Sequence, residues 1–120
     1  MRILICDDSI TIRKKLTESL KNIVNCDVFE AENGLIAVEK YKLVRPNVVF
    51  MDIVMPIMTG LEAVEEIVKF DSEANIVMLS SVGTKENLLQ ALEAGAVDFI
   101  QKPWNESMIL TALQKFDHKE

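Results

Sequence analysis

The chain has 120 residues, with 13 basic and 19 acidic side chains, two cysteines and one histidine. This length predicts that residues 1–120 form one domain, and 49% hydrophobic residues suffice for a core without disulfides or structural metals. The net charge of −6 argues against binding to nucleic acid, and a single histidine argues against a Ser-His-Asp triad or a histidine-rich zinc site.

Apolar runs alternate with amphipathic segments along the whole chain. Strands are predicted at 3–6, 48–51, 76–79 and 99–100, with a weaker candidate at 27–31. Between these strands lie segments in which apolar residues recur with the period of a helix, at 34–43 and 84–93 among others. The apolar faces expected to point inward are Ile12, Leu16, Leu20 and Ile23; Leu35, Val38 and Tyr41; Leu61, Val64, Ile67 and Val68; Leu88, Leu89 and Leu92; and Met108, Ile109, Ala112, Leu113 and Phe116.

The strand runs lack polar alternation, which is typical of parallel strands covered on both faces. Five βα units are too few for a closed eight-stranded barrel. We therefore expect an α/β fold, with an open doubly wound parallel sheet and helices on both faces.

The N-terminus and the cysteines indicate a compartment. Four apolar residues followed by Asp7 and Asp8 resemble neither a signal peptide nor a membrane span. Cys6 and Cys26 are few and far apart, as in a reducing cytosol, and we expect both to be buried as small hydrophobic side chains. We expect a cytoplasmic protein without a membrane segment.

Polar residues follow four of the predicted strands. Asp7 and Asp8 follow the first strand, Asp52 the third, Ser80 the fourth and Lys102 the fifth. Ligands of such sheets bind beyond the carboxyl ends of the strands, where the winding reverses. If strands one and three are neighbours, three carboxylates meet, and their repulsion of several kcal/mol calls for a cation. Oxygen ligands without histidine or cysteine favour Mg²⁺ or Mn²⁺.

The same residues suit phosphoryl transfer. Lys102 and the Ser80 hydroxyl could hold an anion, and the Asp52 carboxylate could act as nucleophile and form an aspartyl phosphate. Each residue alone has a simpler interpretation: Asp8 or Ser9 could cap the first helix, and Lys102 could be a surface lysine. Their joint occurrence at successive strand ends favours a site.

Four motifs occur in a characteristic order. They are Asp7-Asp8-Ser9 with Arg13, the turn AENG at 31–34, DIVMPIMTG at 52–60, and GAVDFIQKP at 95–103. Over essentially its whole length the chain resembles the CheY-like receiver domains of two-component response regulators, phosphoacceptor modules of the phosphorelay. This resemblance implies a five-stranded sheet in the order 2-1-3-4-5.

The resemblance also implies roles for individual residues. Asp52 would accept a phosphoryl group from a histidine kinase, and Ser80 with Phe99 would form the switch between two surfaces. The Lys102–Pro103 peptide bond would be cis. The implied Mg²⁺ ligands are Asp8, Asp52, the Val54 carbonyl and, through water, Asp7, while Lys102, Ser80 and the backbone N–H groups of Val54 and Ser81 would hold the phosphoryl oxygens.

The implied partners are a histidine kinase and a downstream protein that binds the face of helix 4, strand 5 and helix 5. The protein would be a monomer or a phosphorylation-dependent dimer in a pathway such as chemotaxis. It would not be an enzyme beyond its own phosphorylation and slow dephosphorylation. We expect slow dephosphorylation because Val54 and Val82 flank the site and cannot orient a water molecule by hydrogen bonding. Trp104 replaces the more usual Phe and is expected to pack, and His118 lies too near the C-terminus to be assigned a role.

Three alternatives remain at this point. The chain could be a receiver domain excised from a larger regulator with a DNA-binding or enzymatic output domain. A free-standing chain is favoured because the fifth helix ends at the C-terminus. A flavodoxin-like mononucleotide-binding module is less favoured because Asp7 and Asp8 would repel its phosphate. An Asp-nucleophile phosphatase would need its nucleophile after the first strand and a cap domain.

Overall fold

The computed structural model describes residues 1–81 and 83–117, so the predictions for Val82 and His118 fall outside the described residues. Strands and helices alternate along the chain, as the sequence predicts. The elements are β1 (Arg2–Cys6), α1 (Ile10–Ile23), β2 (Asp27–Ala31), α2 (Gly34–Val44), β3 (Val48–Met51), α3 (Gly60–Phe70), β4 (Ile76–Ser80), α4 (Lys85–Ala94), β5 (Asp98–Gln101) and α5 (Glu106–Asp117).

The five strands form one parallel sheet in the order β2-β1-β3-β4-β5, which confirms the predicted architecture. Its register aligns the strand ends. Cys6, the last residue of β1, lies opposite Ala31 on β2 and Met51 on β3. At the other side of the sheet, Ser80 on β4 lies opposite Gln101 on β5. The residues that follow these strands therefore emerge at one edge.

The core has two layers because successive side chains of each strand point to opposite faces of the sheet. One face packs against α2, α3 and α4, and the other packs against α1 and α5. The first layer includes Leu4, Val49, Met51, Met78, Val64 and Ile67, and the second includes Ile3, Ile5, Phe50, Leu16, Leu20, Ile109 and Leu113.

The predicted inward faces of α2, α4 and α5 need correction. Leu88, Leu89 and Leu92 of α4 are exposed, from 36% for Leu88 to 48% for Leu89, and so are Leu35 of α2 and Met108 of α5. Only Ala91 of α4 is buried, so this helix packs on the sheet through a narrow strip. Periodicity predicts a helix here, but it does not say how wide a strip the neighbouring layer covers.

The two cysteines behave as predicted. Cys6 and Cys26 are free and buried. Burial raises the pKa of the Cys6 thiol far above its usual range, and the nearby Lys40 lowers it only in part. In the part of the chain that the structure describes, no helix is long and apolar enough to cross a bilayer.

Candidate functional site

Three carboxylates meet at the carboxyl edge of the sheet. Asp7 and Asp8 follow β1 and Asp52 follows β3, and one oxygen from each lies within 4.8 Å of those from the other two. Asp7 and Asp52 are buried, whereas Asp8 is exposed. The predicted juxtaposition is therefore present, because β1 and β3 are neighbours in the sheet. A set of three carboxylate oxygens suits a hard divalent cation such as Mg²⁺.

Lys102 reaches this cluster from the end of β5. Its Nζ atom lies 2.8 Å from Oδ2 of Asp7 and 3.8 Å from Oδ1 of Asp52. The backbone N–H of Lys102 donates to the Ser80 carbonyl at 2.7 Å, which fixes the end of β5 against β4. The Lys102–Pro103 bond is cis, as the resemblance implied.

Asp52 lies in an electrostatically unfavourable place. Burial, with smaller contributions from Asp7 and Asp8, raises the pKa of its carboxyl to about 6, although Lys102 and the backbone N–H of Ile53 act in the opposite direction. Asp52 as a whole is only 8% exposed. A cation bound between the three carboxylates would relieve this repulsion.

The loop after Asp52 depends on a close backbone approach. The N–H of Gly60 donates to the Ile53 carbonyl at 2.8 Å. A Cβ atom at Gly60 would lie 1.9 Å from the carbonyl oxygen of Asp52, a separation that no side chain tolerates. The final glycine of the DIVMPIMTG motif is thus required for α3 to start against the end of β3.

At its apex the loop carries an unusual residue. Ile57 has a φ of +71°, and the N–H of Met58 donates to the Pro56 carbonyl at 2.7 Å, which together define a γ-turn of the rarer, strained hand. A β-branched residue with positive φ is an outlier in folded proteins. The Ile57 side chain is 78% exposed, so burial does not compensate for the strain. No pattern in the amino-acid sequence predicts this turn.

The remaining predicted residues lie nearby on β4 and β5 or in the adjoining loops. Ser80 is buried at the end of β4, and the next residue, Ser81, is exposed. Phe99 lies opposite Met78 in the register, is half-buried and packs against the layer formed with α2, α3 and α4. Val54 is exposed in the loop after Asp52. Trp104 is half-buried and packs against the α1–α5 layer.

Ser9 caps α1 by accepting from the N–H of Ile12, one of the two caps that the sequence allows. Two other contacts at this edge were not anticipated from the sequence. The N–H of Ser9 donates to Oδ1 of Asp7 at 2.9 Å. Arg13, which entered the sequence argument only as part of a motif, donates from Nη1 to the carbonyl of Asp7 at 2.7 Å. The spacing of Arg13 from Asp7 places it one helical turn into α1, but no pattern in the sequence says what it contacts.

A model of the response regulator receiver domain matches residues 3–114. The chain belongs to this family. The CheY chemotaxis proteins of Thermotoga maritima and Bacillus subtilis are 42% and 44% identical to it over 114 residues, which are 95% of this chain and 95% of each relative. A chain in the crystal structure of a complex of CheX, CheY, BeF₃ and Mg²⁺ from Borrelia burgdorferi has a TM-score of 0.89 and 32% identity, and the match covers 96% of this chain and 87% of that one.

Family membership decides between the classes of protein that the sequence left open. The chain is a CheY-like receiver domain of a phosphoacceptor response regulator, and not a mononucleotide-binding module on a similar sheet. The acidic cluster is compatible with the Mg²⁺ that such chemistry uses.

Proposed function

We propose that this receiver domain accepts a phosphoryl group from a histidine kinase on Asp52 and thereby changes its affinity for a downstream protein. One observation carries the assignment to Asp52. Of the three clustered carboxylates, it is the one that lies buried at the end of β3, with Nζ of Lys102 3.8 Å away. The closer contact of the same Nζ atom, at 2.8 Å, is directed to Asp7. We expect the domain to span residues 1–120 and to act in the cytoplasm.

The residues of the edge divide into two groups in this proposal. Asp8, Asp52 and the Val54 carbonyl would hold Mg²⁺ directly, or Mn²⁺ in its place, and Asp7 would hold it through water. When bound, the cation neutralises the charge that develops on the phosphoryl oxygens. Lys102, the Ser80 hydroxyl and the backbone N–H groups of Val54 and Ser81 would bind those oxygens.

The transfer step is a displacement at phosphorus. An oxygen of the Asp52 carboxylate attacks the phosphorus atom of the partner's phosphohistidine, and the P–N bond breaks as the new P–O bond forms. The electron pair of the broken bond stays on the imidazole nitrogen, which is released as neutral histidine after the charge is balanced by a proton from solvent. Lys102 supplies a positive charge in the transition state without donating its proton.

A change in partner binding would follow from the position of the phosphoryl group next to β4. Ser80 would move toward the phosphoryl oxygens, and Phe99 on the neighbouring strand would turn inward into the space that this movement leaves. The surface affected is formed by α4, β5 and α5, where Leu89 and Leu92 are exposed. The partner would be a protein of a signalling pathway such as chemotaxis, and the domain would act as a monomer or as a phosphorylation-dependent dimer.

The proposal is tested by incubating the protein with Mg²⁺ and acetyl phosphate and measuring its intact mass. Acetyl phosphate supplies the same phosphoryl group, with acetate as the leaving group. We expect one phosphoryl adduct on the wild type, none on Asp52→Asn and none in EDTA. Asp27→Asn is the matched control, because Asp27 is an exposed carboxylate at the opposite end of the sheet. An adduct that persists in Asp52→Asn would show that another residue accepts the group, and no adduct with either acetyl phosphate or a kinase would refute the proposal.

A further inference from the structure

Asp7 is held through all of its polar atoms. Its N–H donates to the Ala31 carbonyl at 3.0 Å, its Oδ1 accepts from the N–H of Ser9, and its Oδ2 accepts from Lys102. Its carbonyl accepts from Nη1 of Arg13 at 2.7 Å. Because Asp7 is only 2% exposed, each of these contacts replaces a hydrogen bond to water that the residue has lost.

The contact with Arg13 replaces the next hydrogen bond of the β1–β2 ladder. In a parallel ladder, the carbonyl of Asp7 would accept from an N–H two residues after Ala31. That residue is Asn33, where the chain has already turned away to cap α2. The guanidinium of Arg13 reaches this carbonyl from α1 instead, so it completes the ladder at the point where the carboxylate cluster begins.

Arg13 is itself held in position. Its Nε donates to Oε1 of Glu30 on β2 at 2.8 Å, and its side chain is only 13% exposed. Glu30 is tied to the other face of the sheet, since Lys40 of α2 donates to its carbonyl. The guanidinium therefore bridges β1, β2 and α1 with two directed hydrogen bonds, a geometry that lysine cannot reproduce.

We propose that Arg13 is a positioning residue for the cation site: it fixes the carbonyl of Asp7 and so holds Asp7 and Asp8 in the orientation that faces Asp52. The inference rests on the proposed function, because it assigns a cation to the cluster. Residues that orient metal ligands without touching the metal commonly change metal affinity by roughly 10- to 100-fold when they are replaced.

The sign of the effect separates positioning from simple electrostatics. Arg13 is a cation near a cation site, so its charge alone weakens Mg²⁺ binding, and its removal would tighten binding if charge were its whole effect. Positioning predicts the opposite, since loss of the contact leaves the Asp7 carbonyl buried without its donor and frees the turn that carries both carboxylates. Arg13→Lys sharpens the distinction because it keeps the charge and loses the paired geometry.

The test measures the Mg²⁺ dissociation constant by calorimetry for the wild type, Arg13→Ala, Arg13→Lys and Tyr41→Phe. We expect a Kd roughly 10-fold higher for Arg13→Ala and an intermediate value for Arg13→Lys. In the Arg13 variants, the rate of phosphorylation by acetyl phosphate should be lower than in the wild type at low Mg²⁺ and equal to it when Mg²⁺ is saturating. Tyr41→Phe removes a hydrogen bond at the opposite end of the sheet and should leave the Kd unchanged, which controls for general destabilisation.

An unchanged or lower Kd in Arg13→Ala would overturn the inference, and if that variant does not fold, a wild-type Kd in Arg13→Lys would overturn it equally. The outcome for the proposed function is read separately. A wild type that binds Mg²⁺ but takes up no phosphoryl group would refute the phosphoacceptor proposal, while a weakened Kd in the Arg13 variants would still support the positioning role. A wild type that binds no Mg²⁺ would refute this inference.

Discussion

The ammonium group of Lys102 donates a 2.8 Å hydrogen bond to the carboxylate of Asp7. The pair links the end of β5 to the end of β1 across the two strands that lie between them in the sheet. In this arrangement the lysine neutralises part of the acidic cluster, and binding a phosphoryl group would require it to exchange one anionic partner for another.

Replacement of Lys102 should therefore affect two measurements in opposite directions. In Lys102→Met, phosphorylation by acetyl phosphate should slow by about 100-fold or more, because a charge that stabilises the transition state is missing. The Mg²⁺ affinity should increase by about fivefold or more, because two unit charges 4 Å apart in water already interact by roughly 1 kcal/mol and Mg²⁺ carries two charges. Stopped-flow phosphorylation and calorimetry measure the two effects. Lys115→Met, which removes a lysine paired with Asp98, is the control and should change neither. Weaker Mg²⁺ binding in Lys102→Met would contradict the prediction.

Asp52 should reduce the stability of the metal-free protein. Its pKa is raised to about 6 in the folded state from a usual value of about 4, so the folded state binds a proton more tightly than the unfolded state does. The contribution of this group to the free energy of unfolding is thus complete below pH 4 and decreases as the pH rises to about 6. In EDTA at pH 7.5, Asp52→Asn should be more stable than the wild type by about 1–3 kcal/mol.

Urea denaturation at pH 4 and pH 7.5 measures this difference, which should shrink at the lower pH. Asp27→Asn changes an exposed carboxylate and should have little effect. Addition of Mg²⁺ should stabilise the wild type and not the Asp52→Asn variant. Equal stability of the two proteins at pH 7.5 in EDTA would mean that the site tolerates the Asp52 charge at no cost.

The strained γ-turn gives a prediction that is independent of phosphorylation. Ile57→Asn should raise the free energy of unfolding by about 1 kcal/mol, because asparagine accepts a positive φ more readily than a β-branched residue. Val97→Asn is the matched control: Val97 is also exposed and β-branched, but its φ is negative. Chemical denaturation of the three proteins measures both changes. A loss of stability in Ile57→Asn would show that the isoleucine side chain makes contacts that outweigh its backbone strain.

Tyr41 allows a direct spectroscopic measurement because it is the single tyrosine of the chain. Burial raises the pKa of its hydroxyl, and the 2.7 Å hydrogen bond that it donates to Asp71 raises it further. The folded state thus favours the neutral phenol, and its contribution to stability, complete below the unfolded pKa of about 10, is lost as the pH rises above that value.

The absorbance of tyrosinate near 295 nm should therefore appear only well above pH 10 in the native protein, and near pH 10 in urea. Tyr41→Phe should lose less stability between pH 9 and pH 11 than the wild type does. A native titration midpoint at about pH 10 would indicate that the Tyr41–Asp71 contact opens in solution.

The positions of the acidic residues could be predicted from the sequence because parallel strands place their carboxyl ends at one edge. Asp7, Asp52 and Lys102 each follow an apolar run, so the fold class alone brings them together. The exposed face of α4 could not be predicted, because helical spacing reports an apolar stripe and not the width of the layer that covers it. The contact of Arg13 with the Asp7 carbonyl depends on where β2 stops, which is a property of three elements and not of a local pattern.

The contacts of Glu30 have a consequence beyond the site. β2 is an edge strand, so the peptide groups that do not bond to β1 face outward and could pair with a strand of another molecule. Lys40 covers the outward carbonyl of Glu30, and the charged side chains of Asp27 and Glu30 stand exposed along the same strand. Glu30 and Lys40, which hold Arg13 in position, thereby also hinder this edge of the sheet from pairing with a strand of another molecule and so from aggregating.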